Sequence, residues 1–177
     1  MAVIDLLSIQ PTQLCKDLRG RFIMLYGQAK SGKTSMSAMW PKPLLVAFEK
    51  GYNGLVGVRH VDITSWADFK QVCRQLKKPE VKEAYETVVI DTVAIAYSLC
   101  EKYILNREGV QSIGDIGYGK GWGMLKDEFE TAFRELTQLG YALVFIAHSK
   151  TKKTEYTDEE GNELDALAPD LPNAAYQ

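Results

Sequence analysis

Short apolar runs alternate with amphipathic stretches along most of the chain, and this alternation predicts the fold. Residues 21–26 (RFIMLY) are apolar and end at a glycine, which predicts a buried strand. Residues 43–48 (PLLVAF), 87–91 (TVVID) and 141–148 (YALVFIAH) predict three more, and 58–64 (VRHVDIT) a shorter, alternating one. Between them the period changes. Residues 65–78 open with Ser65 and Asp68 in capping-box spacing and meet Pro79, which predicts a helix closed by the proline. Residues 94–106 and 124–139 are also apolar at helical spacing, with Gly140 as the stop of the second. Near-continuous apolar strands separated by helices predict an α/β fold, a mostly parallel central sheet with helices on both faces. Two segments fall outside the pattern. Residues 107–123 are glycine-rich, and residues 149–170 are polar and charged.

Length and composition narrow the classes. The 177 residues, 46% hydrophobic and 25% charged, suit one globular domain with a real core. The whole of 1–177 reads as a single core. The last residues, DLPNAAYQ, resemble a helix entrance at Pro172 and Asn173, so the domain is expected to continue past Gln177. A net charge of -2 excludes a broadly basic nucleic-acid binder, so contact with nucleic acid requires a local patch. Cys15, Cys73 and Cys100 are scattered without a C-x-x-C pair, which predicts neither a zinc site nor disulfides and suits a reducing cytoplasm. Nothing reaches transmembrane length and the N-terminus lacks a basic leader, so no membrane association is expected.

The chemistry concentrates in Gly27–Ser35, GQAKSGKTS. Gly27, Gly32, Lys33 and Thr34 match G-x-x-x-x-G-K-S/T, and the match lies between a predicted strand and a helix starting near Lys33. In such a loop the backbone N–H groups of Gly27, Gln28, Ala29, Lys30, Ser31, Gly32 and Ser35 surround phosphate oxygens. Lys33 reaches the β- and γ-phosphates, and the Thr34 hydroxyl binds Mg²⁺, so ATP and Mg²⁺ are the expected cofactors. Asp91, ending an apolar strand, is the expected acidic partner of the metal. Thr92 follows it, so a catalytic base cannot come from the adjacent position. Glu49, ending PLLVAFE on a strand expected near the phosphate-loop strand, is the candidate base.

With Glu49, Asp91 and the terminal His148 of LVFIAH in place, the sequence resembles the RecA-like ATPases. It is similar in particular to the phage-encoded Sak-type single-strand annealing proteins. GQAKSGKTS, PLLVAFEKGYNGL, TVVIDTVAIAYSLCEKY, IGDIGYGKGWGMLKDEF and GYALVFIAHSK carry the resemblance over Arg21 to Lys150. It implies that His148 senses the γ-phosphate and that two loops, 107–123 and 149–170, face single-stranded DNA. The first has suitable parts: Tyr118 and Trp122 to stack on bases and Lys120 to meet phosphate. The second begins with Lys150, Lys152 and Lys153, but six acids follow those three lysines by residue 165. It reads as a hairpin around EEGNE with a DNA-touching basic stem, or as a surface for a protein partner. The same lysines are candidates for a finger reaching a neighbouring subunit, since the resemblance implies a homo-oligomer, ring or filament. A single-strand binding protein or replication partner, and the cytoplasm of a bacterial host, are implied too. RecA-type recombinases carry a further module for which residues 1–20 are too short, so annealing is expected rather than full strand exchange. Two other readings stay open. One is a nucleotide-switched adaptor such as a helicase loader. The other is a small-molecule kinase, disfavoured because the only arginine beyond residue 123 is Arg134, within a predicted helix.

Overall fold

The computed structural model describes residues 17–157, 160–161 and 163–171. Cys15, the helix entrance expected at Pro172 and Asn173, and Asp158 and Glu159 of the acidic stretch lie outside the described residues. The strands are β1 (Phe22–Gly27), β2 (Pro43–Ala47), β3 (Arg59–Asp62), β4 (Thr87–Asp91), β5 (Ala142–Thr157) and β6 (Glu163–Pro169). The helices are α1 (Lys33–Ala38), α2 (Trp66–Gln75), α3 (Pro79–Ala84), α4 (Val93–Glu108) and α5 (Lys120–Thr137). Five strands form a parallel sheet in the order β1-β5-β4-β2-β3. This is the α/β architecture of a P-loop NTPase.

Helices cover both faces, and the strand pleat assigns each residue to one of them. On one face Val46, Val88, Ile90 and Leu143 pack against Trp66, Phe69 and Cys73 of α2, Tyr97 and Cys100 of α4, and Leu125 and Phe129 of α5. On the other, Leu45, Ala47, Val89, Val144 and Ile146 meet Trp40, just past α1. All five residues of β4 are buried, as the unbroken apolar run TVVID requires of a strand covered on both sides. The buried Cys73 and Cys100 thiols are both pushed up to about 12 by burial, so they act as small apolar groups.

The structure departs from the sequence reading in four places. Pro79 does not close α2; that helix ends at Gln75, and Pro79 opens α3 as its first residue. Proline has no N–H to lose at that position, so it serves as a start as readily as a stop. The segment 107–123 is not one irregular loop. α4 runs on to Glu108, a 3-10 turn occupies Ile113–Asp115, and α5 begins at Lys120. β5 does not end at His148 but continues to Thr157 and folds back antiparallel onto β6, Ser149 facing Pro169 and Lys153 facing Asp165. Lastly, β5 and β4 separate β2, which leads to Glu49, from the phosphate-loop strand β1.

Candidate functional site

The phosphate loop leaves β1 at Gly27 and enters α1 at Gly32. A side chain at Gly27 would place its Cβ 3.1 Å from Ser31 Oγ, a tight approach that the serine hydroxyl would have to yield to. Gly32 has φ 86 and forms the N-cap of α1, a left-handed conformation that glycine adopts without a Cβ penalty. The Lys33 ammonium folds back over the loop, donating to Gly27 O at 3.0 Å and Gln28 O at 2.7 Å. Thr34 Oγ1 donates to Asp91 Oδ2 at 2.6 Å, across 57 residues of sequence.

Parallel register brings the other groups to the same sheet edge. Asp91 faces Ala47 of β2 on one side and Ile146 of β5 on the other. Its carbonyl accepts from Phe48 N and, at 3.3 Å, from Glu49 N, which hooks the turn after β2 over the end of β4. This backbone hook explains why Glu49 reaches the site although its strand is remote from β1. His148 lies opposite Gly27 in the β1–β5 pair, and its Nε2 is 3.6 Å from Glu49 Oε1. One cleft of about 490 Å³ is lined by Ala29 to Ser35, Glu49, Gly51, Asp91 and His148. All the predicted phosphate, metal, base and sensor positions converge there, apart from Gly27 and Gln28, which carry the loop into it.

Sequence reasoning missed Gly51. A Cβ there would lie 3.7 Å from Thr34 Oγ1, 3.9 Å from Asp91 Oδ2 and 4.0 Å from Glu49 Oε1. Any longer side chain would project into the space between hydroxyl and carboxylates. The available signal was a glycine two positions after the candidate base.

The electrostatics favour a cation. Burial raises the Asp91 carboxyl above its ordinary range, and the nearby Glu49 charge adds to this; the Thr34 hydrogen bond, Lys33 and His148 oppose it. Asp91 Oδ1 and the neighbouring Thr92 Oγ1 are buried without a hydrogen-bond partner. An orphaned carboxylate oxygen beside a threonine hydroxyl is a set of hard oxygen donors, which suits Mg²⁺ bound jointly with phosphate oxygens.

That strain yields a stability prediction. Because the folded pKa of Asp91 is raised, the folded chain holds this proton more tightly than the unfolded chain. Its penalty is absent below the ordinary aspartate pKa of about 3.9 and fully present once pH has risen through the folded value. Asp91→Asn removes the titration. At pH 7 without nucleotide its Tm should exceed that of wild type, and the gap should close toward acid. Thermal melts over a pH series check this. A destabilised Asp91→Asn protein at neutral pH would show that the carboxylate is not strained.

The two segments expected to face DNA are formed differently from one another. In the first, Ser112 and Asp115 make a reciprocal capping box around the 3-10 turn, and Ile113 is buried. Gly121 in the first turn of α5 lies against it so closely that a Cβ would meet Ile113 O at 2.4 Å. On this ordered base Tyr118, with φ 55, is fully exposed and Trp122 is 53% exposed. Lys120 is the first residue of α5. In the second segment, Lys150 donates to Leu171 O and lies 3.3 Å from Asp170 Oδ1, while Lys152 and Lys153 are exposed along the hairpin. The hairpin is tied to the cleft because Asp170 N donates to the carbonyl of His148. Arg134 sits on α5 beside Glu130, not on a lid.

The profile of the AAA domain family matches residues 19–177. The chain belongs to that family. Its phosphate loop and sheet are thus those of a nucleotide-binding P-loop ATPase domain. A relative by sequence is the SPbeta prophage-derived uncharacterized protein YorG of Bacillus subtilis (strain 168), 34% identical over 174 residues. The match covers 97% of this chain and 54% of the relative, so the chain spans about half the length of the curated protein it matches. Among the described residues no helix is long and apolar enough to cross a membrane.

Proposed function

We propose that this protein binds and hydrolyses MgATP in a RecA-like manner and uses the nucleotide state to control a grip on single-stranded DNA. The observation that carries the reading is the convergence of Lys33, Thr34, Glu49, Asp91 and His148, from four separated stretches of chain, on one cleft. Thr34 and Asp91 would hold Mg²⁺, which would neutralise charge on the phosphate oxygens when bound. Lys33 binds the terminal phosphates, Glu49 orients and deprotonates the attacking water, and His148 reads the γ-phosphate. A prophage-derived relative supports a phage setting in a bacterial host, and within that setting the proposed work is recombination or strand annealing in the cytoplasm. A ring or filament of copies, in which Lys150, Lys152 or Lys153 reaches a neighbour, and a single-strand binding or replication partner complete the proposal.

The aromatic pair favours the DNA reading over the switched adaptor. An ordered segment that leaves a tyrosine and a tryptophan in water suits stacking on bases, and stacking contributes roughly 1–3 kcal/mol per base. The direct test measures ATP hydrolysis with and without single-stranded DNA, and DNA affinity by fluorescence anisotropy in ATP and ADP. Tyr118→Ala combined with Trp122→Ala should weaken binding by about ten-fold or more with little change in salt dependence. Lys120→Ala should instead flatten the salt slope by about 0.7, the value for one phosphate on a single strand. No single-strand binding in any nucleotide state would leave the adaptor reading in its place. Binding abolished by substitutions in 149–153 but indifferent to the aromatics would move the DNA site to the hairpin.

A further inference from the structure

The candidate base Glu49 is not held in place by its own side chain. Among the described residues its carboxylate makes no hydrogen bond, and its ion-pair neighbour, His148 Nε2, lies 3.6 Å away. Where the carboxylate stands is therefore set by the backbone of the turn that carries it. At its near end the turn is fixed by the bonds from Phe48 N and Glu49 N to the Asp91 carbonyl. Lys50 and Gly51 follow, and a glycine gives the backbone no stiffness of its own. The far end needs an anchor of its own.

Tyr52 has the contacts of one. Its phenol donates to Asp62 Oδ1, and its ring lies over the His60 ring with centroids 4.0 Å apart and planes 30° from parallel. The ring also packs on the apolar cluster that contains Leu45 and Ala47. Register explains why these groups meet. In the β2–β3 pair His60 stands beside Leu45 and Asp62 beside Ala47, so both project from the face that Tyr52 covers.

The chain thus leaves β2 after Ala47, hooks over the end of β4 and returns to β3, on the other side of the strand it left. Leu55 N donates to Tyr52 O and closes a turn immediately beyond the clasp. A hydrogen bond from a phenol to a carboxylate is stronger than one between neutral groups. The same bond pushes the Tyr52 phenol above its ordinary range, so it stays a donor at neutral pH. Gly51, which borders the space between Thr34, Asp91 and Glu49, lies in the short span between the two anchors.

We propose that Tyr52 is a positioning residue for hydrolysis: clasped by Asp62 and His60 of β3, it fixes the span from Glu49 to Gly51 over the cleft and so holds the Glu49 carboxylate where it orients water. The inference rests on the role of Glu49 as the base. Tyr52 acts through that residue and touches neither nucleotide nor water itself. A base works only from within hydrogen-bond reach of the proton it takes. A span with one end loose lets the carboxylate drift out of that reach while the phosphate loop, Thr34 and Asp91 stay where they are.

Tyr52→Phe keeps the ring and its stacking on His60 and removes only the hydroxyl. Its steady-state turnover of MgATP should fall about ten-fold, inside the roughly 10²-fold that a misplacement of about 1 Å can cost. Nucleotide affinity, titrated separately, should stay at the wild-type value. Asp62→Ala removes the acceptor instead and should give the same pair of results, which keeps the test in hand if the phenylalanine variant does not fold. The sharpest comparison is made in the Glu49→Gln background. There Tyr52→Phe should cost nothing further, because the group through which it acts has lost its function. An equal loss in both backgrounds overturns the proposal, since the tyrosine would then act independently of Glu49. So does wild-type turnover in Tyr52→Phe, or a fall in affinity that matches the fall in turnover. Wild-type turnover in Glu49→Gln alone is a different failure: it removes the base assignment itself, and the anchor's purpose with it.

Discussion

Lys33→Ala should lose measurable MgATP binding in a calorimetric titration while its circular dichroism stays native. The Lys33 ammonium makes its hydrogen bonds to loop carbonyls, Gly27 O and Gln28 O, rather than to the core. Removing it therefore leaves the sheet and both apolar clusters untouched. In the complex the same ammonium exchanges those neutral acceptors for phosphate oxygens. Hydrogen bonds to charged groups contribute about 1.5–3 kcal/mol each, so losing two lowers affinity by roughly 10²- to 10⁴-fold. Affinity within a few-fold of wild type would remove the basis for placing a triphosphate in this cleft, and with it the roles given to Thr34, Asp91 and Glu49.

The elements with strong periodicity were legible because burial alone decides them. TVVID is β4 to the residue, and the capping box at Ser65 and Asp68 starts α2 as read. What escaped the reading depended on contacts between distant residues. Nothing local says that Gly121 must sit against the Ile113 carbonyl, yet this contact lets α5 begin four residues before its apolar pattern does. Likewise the polar 149–157 stretch has no buried face to announce a strand; it is extended because β6 supplies its backbone partners. A hairpin around EEGNE was one of the two forms expected, but its continuity with the strand that carries His148, the proposed sensor, was not. That continuity gives the γ-phosphate reading a mechanical route. Any shift of His148 moves the backbone that holds both Asp170 and the first residues of the hairpin.

The placement of Glu49 shows the same limit from the other side. Its residue type and strand-end position were readable, and its neighbours were not, because two strands that come later in the sequence insert between β1 and β2. Sheet order was the missing information. The hydrogen bonds from Phe48 N and Glu49 N to the Asp91 carbonyl restore the proximity that the expected strand adjacency would have supplied.

Glu49→Gln should bind MgATP about as well as wild type and hydrolyse it about 10²-fold more slowly or worse, the range for losing a positioned general base. Thr92 follows Asp91 with a fully buried side chain, so the position after the proposed metal-binding acid cannot supply a base. Glu49 is the other carboxylate lining the cleft, and its side chain is 34% exposed, open enough to meet a water. Glutamine keeps the side chain's length and its place beside His148, so the loop, Thr34 and Asp91 retain their places. Only proton acceptance is lost. Steady-state hydrolysis together with a separate nucleotide titration distinguishes the outcomes. A fall in affinity equal to the fall in turnover would mean that Glu49 shapes the pocket rather than the chemistry. Turnover within a few-fold of wild type, with binding intact, would transfer the role of base to a group outside this cleft, and a neighbouring copy of the chain would be the first place to look for it.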